Sequence, residues 1–122
     1  MPQSGTDLAS QPTISRLENV ADARYCHRMA EAIFELHLTE REEGGAPEMV
    51  LLDFDSTDDP THGEQEGSFY HAYFEQHIYH PLLVFDGETG QLICTLLRAG
   101  NTHSSRSAVA LSKRIVACLR NR

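Results

Sequence analysis

The fold is decided by one short stretch of sequence, Met49-Val50-Leu51-Leu52-Asp53-Phe54-Asp55. Its nearly continuous apolar content predicts a buried, central β-strand. Asp53 and Asp55 are two residues apart, so on a strand their side chains share one face at a separation of about 7 Å. We therefore expect the strand to end in a pair of carboxylates, and the chemistry to lie at that end.

Two full negative charges at this separation repel each other by roughly 2 to 3 kcal/mol near a protein surface. A hard divalent cation such as Mg²⁺, bound by carboxylate oxygens, offsets such repulsion. Asp58 and Asp59 follow closely and could assist. A strand end with solvated aspartates is the alternative, and the residue pattern alone leaves both interpretations open.

Helical patterns precede this strand. Ser15 and Glu18 have the spacing of a capping box, which predicts a short helix from Ser15 to about Asn19. A longer helix should follow, because apolar residues step by four and three between Ala21 and Leu36. Gly44 and Gly45 should end it.

Two strand-like runs follow the acidic stretch, at residues 81–85 and 91–97, and a loop with two glycines at residues 86–90 joins them. This pattern predicts an antiparallel hairpin. Beyond it, Ser104 or Ser105 should cap a helix with one apolar and one basic face that runs to the end of the chain. Residues 69–79 are aromatic and rich in histidine without a clean period, so their structure stays open.

The charge of the chain is divided unevenly. The net charge is -8, yet residues 1–90 hold all 18 acidic side chains and only four arginines, whereas residues 91–122 hold six basic side chains and no acidic one. Such asymmetry suits an acidic metal centre beside a basic surface for a polyanion. A basic chain end is also a common solubility feature, so the charge pattern needs support from other observations.

Several classes of protein are excluded by composition. The 122 residues suffice for one domain, and no apolar run approaches the roughly 20 residues that cross a bilayer. The first ten residues lack the features of a signal peptide, so we expect a cytoplasmic protein with no membrane partner. Cys26, Cys94 and Cys118 form no C-x-x-C pair, which argues against a disulfide framework or a zinc site.

The histidines give a weaker signal. His62, His71, His77 and His80 match no spacing of a known metal-ligand motif, so packing or loop hydrogen bonding is favoured over a metal site. His103 differs because it lies between a strand and a predicted helix, where backbone amides can receive a phosphate.

A phosphatase remains an alternative at this point. Asp53-Phe54-Asp55-Ser56-Thr57 resembles the D-x-D-x-T motif of haloacid-dehalogenase-like phosphatases, in which the first aspartate attacks phosphorus and the second acts as acid and base. That family has a parallel sheet, whereas this chain continues into a predicted antiparallel hairpin. Antiparallel pairing of residues 49–55 with residues 82–85 would argue against the phosphatase.

Three separated motifs together resemble the first block of the DDE transposases of bacterial insertion sequences. They are residues 50–63 (VLLDFDSTDDPTHG), residues 79–86 (YHPLLVFD) and residues 97–104 (LRAGNTHS), and residues 10–19 resemble the segment that precedes this block. The resemblance covers almost the whole chain. It implies an α/β protein with a partial ribonuclease-H-like fold, in which three antiparallel strands with flanking helices form the amino-terminal part of a catalytic domain over residues 46–122. A helical segment (residues 13–45) and a flexible lead-in (residues 1–12) would precede it.

The resemblance also implies function. The first catalytic aspartate of the family carries over to Asp55, with Asp53 as neighbour or substitute, and both would bind Mg²⁺. DNA would be the partner, and the residues expected to contact it are Arg98, Asn101, His103, Arg106, Lys113 and Arg114. The family's second aspartate and its glutamate lie further along and are not found in this chain.

We therefore expect a transposase fragment that is catalytically inactive alone, binds metal weakly and forms a homo-oligomer through an open sheet edge. A non-catalytic module that binds DNA or a transposase and interferes with transposition is a further alternative.

Overall fold

The chain forms helices and two small antiparallel sheets. A computed structural model describes residues 10–45 and 47–121, without the side chain of Glu18, so the expected lead-in falls outside the described part as far as residue 9. In chain order the described elements are α1 (Gln11–Val20), α2 (Ala23–Gly44), β1 (Leu52–Ser56), β2 (Asp59–Pro60), β3 (Phe69–His71), β4 (Gln76–Tyr79), β5 (Leu82–Asp86), β6 (Leu92–Leu96) and α3 (Ala108–Arg120).

The first sheet has the strand order β1-β5-β6, with both pairs antiparallel. The hairpin of β5 and β6 confirms the prediction made from the two strand-like runs. The aspartates of β1 lie opposite apolar residues of β5, Asp53 opposite Phe85 and Asp55 opposite Leu83. This is the pairing that argues against a phosphatase of the parallel-sheet type.

The strand β1 differs from its prediction in position and in burial. It begins at Leu52 rather than Met49, and Met49 and Leu51 are exposed. Within the described residues it lies at an edge of the sheet, and exposed and half-buried residues alternate along it. The prediction of a strand buried on both faces is therefore wrong for this part of the chain, because only one face of β1 packs on the core.

The tight turn between β5 and β6 explains why the hairpin could be predicted. The Oδ1 atom of buried Asp86 accepts hydrogen bonds from the backbone of Glu88 (2.9 Å) and Thr89 (3.3 Å). Gly90 has a φ of 73°, a conformation that favours glycine. The pairing of β5 with β6 is irregular between Val84 and Phe85. This irregularity lets two consecutive residues of β6, Ile93 and Cys94, both be buried.

The second sheet, with the order β2-β4-β3, occupies the stretch that the sequence left open. Its strands are only two to four residues long, too short for an alternating pattern to emerge. The Tyr79–Ala99 bridge and the hydrogen bond from the Gly100 amide to the Gly67 carbonyl (3.0 Å) join this sheet to the segment after β6.

The first two helices do not begin at the residues that the sequence patterns predicted. α1 begins at Gln11, four residues before Ser15, with Pro12 in its first turn, where its missing N–H costs no hydrogen bond. α2 is capped by Asp22, whose carboxylate accepts a hydrogen bond from the Tyr25 amide (2.8 Å). The predicted end of α2 at Gly44 and Gly45 is confirmed.

The core lies between the first sheet and helices on one of its faces. Val84, Ile93, Cys94 and Ile115 are its buried centre, and Phe34 of α2 and Leu111 of α3 pack against them. Leu52 and Phe54 face this core, so Asp53 and Asp55, which alternate with them, project from the opposite face of the sheet. The chain is thus a mixed α/β protein in which every strand pairing is antiparallel among the described residues.

Burial of His37 gives the fold a pH dependence. The side chain of this α2 residue is only 6% exposed, and neither ring nitrogen has a hydrogen-bond partner among the described residues. Desolvation lowers the pKa of His37 below its usual value of 6.5; Asp86 and Glu40 act against this shift and Arg41 adds to it. The unfolded chain therefore binds the proton more readily than the folded chain.

We expect the free energy of unfolding to fall as the pH drops through 6.5, by up to about 1.4 kcal/mol per pH unit from this one group. His37→Leu, which removes both unpartnered nitrogens, should flatten the decline and leave stability at pH 7.5 unchanged or higher. Urea unfolding between pH 5 and 8 measures both effects. An identical slope in the wild-type and variant chains would contradict this role of His37.

Candidate acidic site and basic surface

The acidic strand end is open to solvent. Asp53 and Asp55 are both exposed and lie on the face of β1 opposite the core. Their neighbours on β5, Leu83 and Phe85, are half-buried. The two carboxylates are therefore accessible to a cation or to a partner from that side of the sheet.

The other acidic residues nearby do not complete a metal site. The Asp58 carboxylate accepts a hydrogen bond from the side-chain amide of Gln76 on β4 (Nε2, 3.2 Å). Asp59 lies on β2. Among the described residues, no group of three His, Cys, Asp or Glu side chains is placed to hold a metal ion. Asp53 and Asp55 alone do not fit a centre that holds two Mg²⁺ ions, which needs carboxylates from several elements.

The residues expected to contact DNA fall into two groups, exposed and buried. Asn101, His103, Arg106, Lys113 and Arg114 are exposed, as a DNA contact requires. Arg114 donates a hydrogen bond to the Glu31 carboxylate (3.3 Å), and this exposed ion pair is weak enough to be exchanged for a phosphate.

Arg98 forms the second group by itself and lies inside the protein. Only 6% of it is exposed, and desolvation lowers the pKa of its guanidinium. Nε donates to the His80 carbonyl (2.7 Å), and Nη2 donates to the Ser56 hydroxyl (2.9 Å). Nη1 donates to the carbonyls of Ser104 (2.9 Å) and Arg106 (2.8 Å). The expectation that Arg98 contacts DNA is corrected by this placement, because its donors are turned towards the protein.

These bonds also explain why α3 begins late. The sequence predicted a cap at Ser104 or Ser105, but the helix begins at Ala108, after Ser107 with a φ of 69° and no side-chain cap bond. The carbonyls of Ser104 and Arg106 point at the guanidinium of Arg98 instead of continuing a helix. The His103 ring closes the same loop, since its Nδ1 accepts a hydrogen bond from the Ser105 amide (3.2 Å).

The acidic pair and the basic helix lie on opposite sides of the sheet. α3 packs through Ile115 and Leu111 on the core face, whereas Asp53 and Asp55 project from the other face. The expectation of an acidic centre directly beside a basic surface is therefore not met by these residues. The loop at residues 101–107 does contact the acidic strand end, where the Ser56 hydroxyl donates to the Ser104 carbonyl (3.0 Å).

The clustered histidines pack mainly against aromatic rings and carbonyls. The ring of His71 lies 5.0 Å from that of Phe74 and 5.3 Å from that of His80, and His77 lies edge-on to Tyr70. Nδ1 of His80 is 2.8 Å from the Thr102 carbonyl. This arrangement fits the packing interpretation that the sequence favoured over a metal site.

Comparison with known proteins assigns the family. A family model described as "Transposase DDE domain group 1" matches residues 1–122, the whole chain. The chain belongs to this family. Searches of curated proteins and of solved structures found no match.

The DDE transposase family agrees with the three motifs on which the resemblance rested, and their places in the fold are now known. The first motif forms β1 and β2, the second forms the junction of β4 and β5, and the third forms the loop before α3. Neither the transposase family nor the antiparallel pairing of β1 with β5 in this chain supports phosphatase chemistry at Asp53.

Two further expectations concern the cysteines and the membrane. Cys26, Cys94 and Cys118 are all free, and burial raises the pKa of the Cys94 thiol to about 11. No helix in the described part of this transposase domain has the length and apolar character needed to span a membrane.

Proposed function

We propose that this chain is a DNA-binding part of an insertion-sequence transposase domain that carries the first carboxylate of the catalytic site, Asp55, and is inactive by itself. The observation that carries the proposal is the sheet order β1-β5-β6 followed by α3. A ribonuclease-H-like domain likewise begins with three antiparallel strands and a helix, and this similarity supports the proposal. The matched family supplies the reaction class, DNA transposition.

The acidic pair is the proposed metal-binding element. Asp55 precedes Ser56-Thr57, the D-x-T setting of the first catalytic aspartate, and Asp53 shares its face. In the family, Mg²⁺ supplies activation of water or a DNA 3'-hydroxyl. Two carboxylates from a single strand hold such an ion loosely, because the remaining ligands must come from solvent.

The proposed DNA surface is the loop at residues 101–107 together with α3. Its exposed donors are Asn101, His103, Arg106, Lys113 and Arg114, and residues 91–122 contain no acidic side chain to repel a phosphate. The α3 part of this surface lies across the sheet from Asp55, which favours DNA binding without cleavage. The same separation of α3 from Asp55 keeps a module that only competes for DNA or for a transposase as a second candidate.

Fluorescence anisotropy with a labelled DNA duplex tests the proposal. Binding should weaken linearly in log Kd against log salt concentration, as expected when a few cationic side chains displace counterions. Absence of binding at low salt would overturn the proposed function.

A second copy of the chain is a further proposed partner, through the edge of β1 that has no neighbouring strand among the described residues. Pairing of two such edges would place Asp53 and Asp55 near their counterparts, and like charges in facing strands are destabilising. The acidic pair should thus restrain self-association. We expect Asp53→Asn/Asp55→Asn to associate more strongly than the wild-type chain in size-exclusion chromatography with light scattering, with Glu88→Gln as control. If the wild-type chain and the double variant both remain monomers of 13.7 kDa at all concentrations, the proposal is contradicted.

A further inference from the structure

We infer that Arg98 is a positioning residue, whose guanidinium couples the acidic strand end to the loop that leads into α3. The inference rests on the proposed function for its biological meaning, since that function needs both parts. The coupling itself is a property of the fold and can be measured without DNA.

The contacts of Arg98 reach three separate segments. One nitrogen binds Ser56, the residue directly after Asp55, and another binds carbonyls of the loop at Ser104 and Arg106. The third nitrogen, Nε, binds the His80 carbonyl, and the Arg98 carbonyl accepts in return from the His80 amide (3.1 Å). Arg98 therefore joins β1, the junction of the two sheets, and the loop before α3.

The chemistry of these contacts requires arginine. The partners lie in different directions around one planar group, and a guanidinium presents five N–H donors in a fixed fork. A lysine ammonium retains the charge but cannot address the three segments with the same geometry. The partners are neutral carbonyls and a hydroxyl, so the side chain organises the backbone rather than neutralising a carboxylate.

Arg98→Lys separates positioning from direct DNA contact. A lysine binds a phosphate as a point charge, so a direct contact would largely survive the substitution. For a positioning residue we expect the amides of Arg106 and Ala108, which bond within the loop, to exchange hydrogen at least about tenfold faster, with little change at Val84 and Cys94 of the core. DNA affinity should fall severalfold in the same variant.

Two further variants sharpen the test. Ser56→Ala removes the hydrogen bond from Arg98 and the bond from the Ser56 hydroxyl to the Ser104 carbonyl, but it keeps the Arg98 bonds to the loop. It should therefore loosen the amides around Ser56 and spare those of Arg106 and Ala108. Arg24→Lys, an exposed substitution of the same type on α2 and outside the proposed DNA surface, should change neither exchange nor DNA affinity.

The outcomes test the positioning role of Arg98 and the proposed DNA-binding function separately. Unchanged loop exchange in Arg98→Lys would overturn the inference, and so would uniformly faster exchange throughout the core, which would indicate a general loss of stability. If the wild-type chain does not bind DNA, the proposed function fails, while the exchange measurements still decide the role of Arg98.

Discussion

Gly100→Ala is expected to destabilise the protein more than any other single-methyl addition at a described glycine. A Cβ atom at this position would lie 1.9 Å from the Ile78 carbonyl oxygen and 2.9 Å from that of Phe69. Both atoms belong to backbone of the second sheet, so they cannot rotate away. Overpacking costs about 1 to 3 kcal/mol or more, and the Gly100–Gly67 hydrogen bond would be strained as well. We expect a loss of about 3 kcal/mol and a Tm lower by about 10 °C.

Two glycines provide matched controls for this measurement. Gly44→Ala meets no atom within 4 Å at the end of α2, so its Tm should be unchanged or slightly higher. At Gly87 the atoms nearest to an added Cβ belong to the Leu51 side chain (2.7 Å), which is exposed and can rotate, so the loss in Gly87→Ala should be smaller than that in Gly100→Ala. Thermal unfolding gives the Tm of all three variants. If Gly100→Ala lowers the Tm no more than the two controls do, the two sheets are not packed as described.

Neutralising the basic surface should have the largest effect on DNA binding. Arg106 and Lys113 are exposed, so replacing both with glutamine removes two cationic contacts without disturbing the core. A hydrogen bond to a charged group contributes about 1.5 kcal/mol or more, so the double variant should bind a duplex roughly a hundredfold more weakly. The slope of log Kd against log salt should also fall by about two, one for each lost phosphate contact.

Arg28→Gln with Arg24→Gln is the control for this double variant. It removes the same charge from exposed positions on α2, outside the proposed surface. Its affinity and salt slope should stay close to those of the wild-type chain. Equal losses in both double variants would mean that DNA responds only to net charge and would contradict a defined surface on α3.

The parts of the fold that the sequence predicted are those with strong local signals. The hairpin of β5 and β6 has two apolar runs and a glycine-containing turn, and it forms where expected. The acidic strand was found, but its burial was overestimated, because an apolar run does not reveal whether its residues face a core or lie beyond the end of the sheet. Met49 and Leu51 lie beyond it.

The missed features depend on contacts between distant residues. Nothing local marks the strands of the second sheet, whose pairing joins segments such as Pro60 and Ile78. Arg98 appeared as one more basic residue in a basic segment, and only the fold shows that it is buried against His80 and Ser56. Two neighbours in the sequence hinted at a tightly packed segment: the apolar Leu97 directly before Arg98, and Gly100 two residues after it.

The central claim is that this transposase domain presents the acidic pair without a complete catalytic site, and a nicking assay tests it most directly. Pure 122-residue chain is incubated with supercoiled plasmid in Mg²⁺ or Mn²⁺, beside Asp55→Asn. We predict no conversion to open circles above background for either chain, because Asp53 and Asp55 lie on one strand and the described residues offer no third ligand group. Metal-dependent nicking by the wild-type chain that disappears in Asp55→Asn would contradict the account.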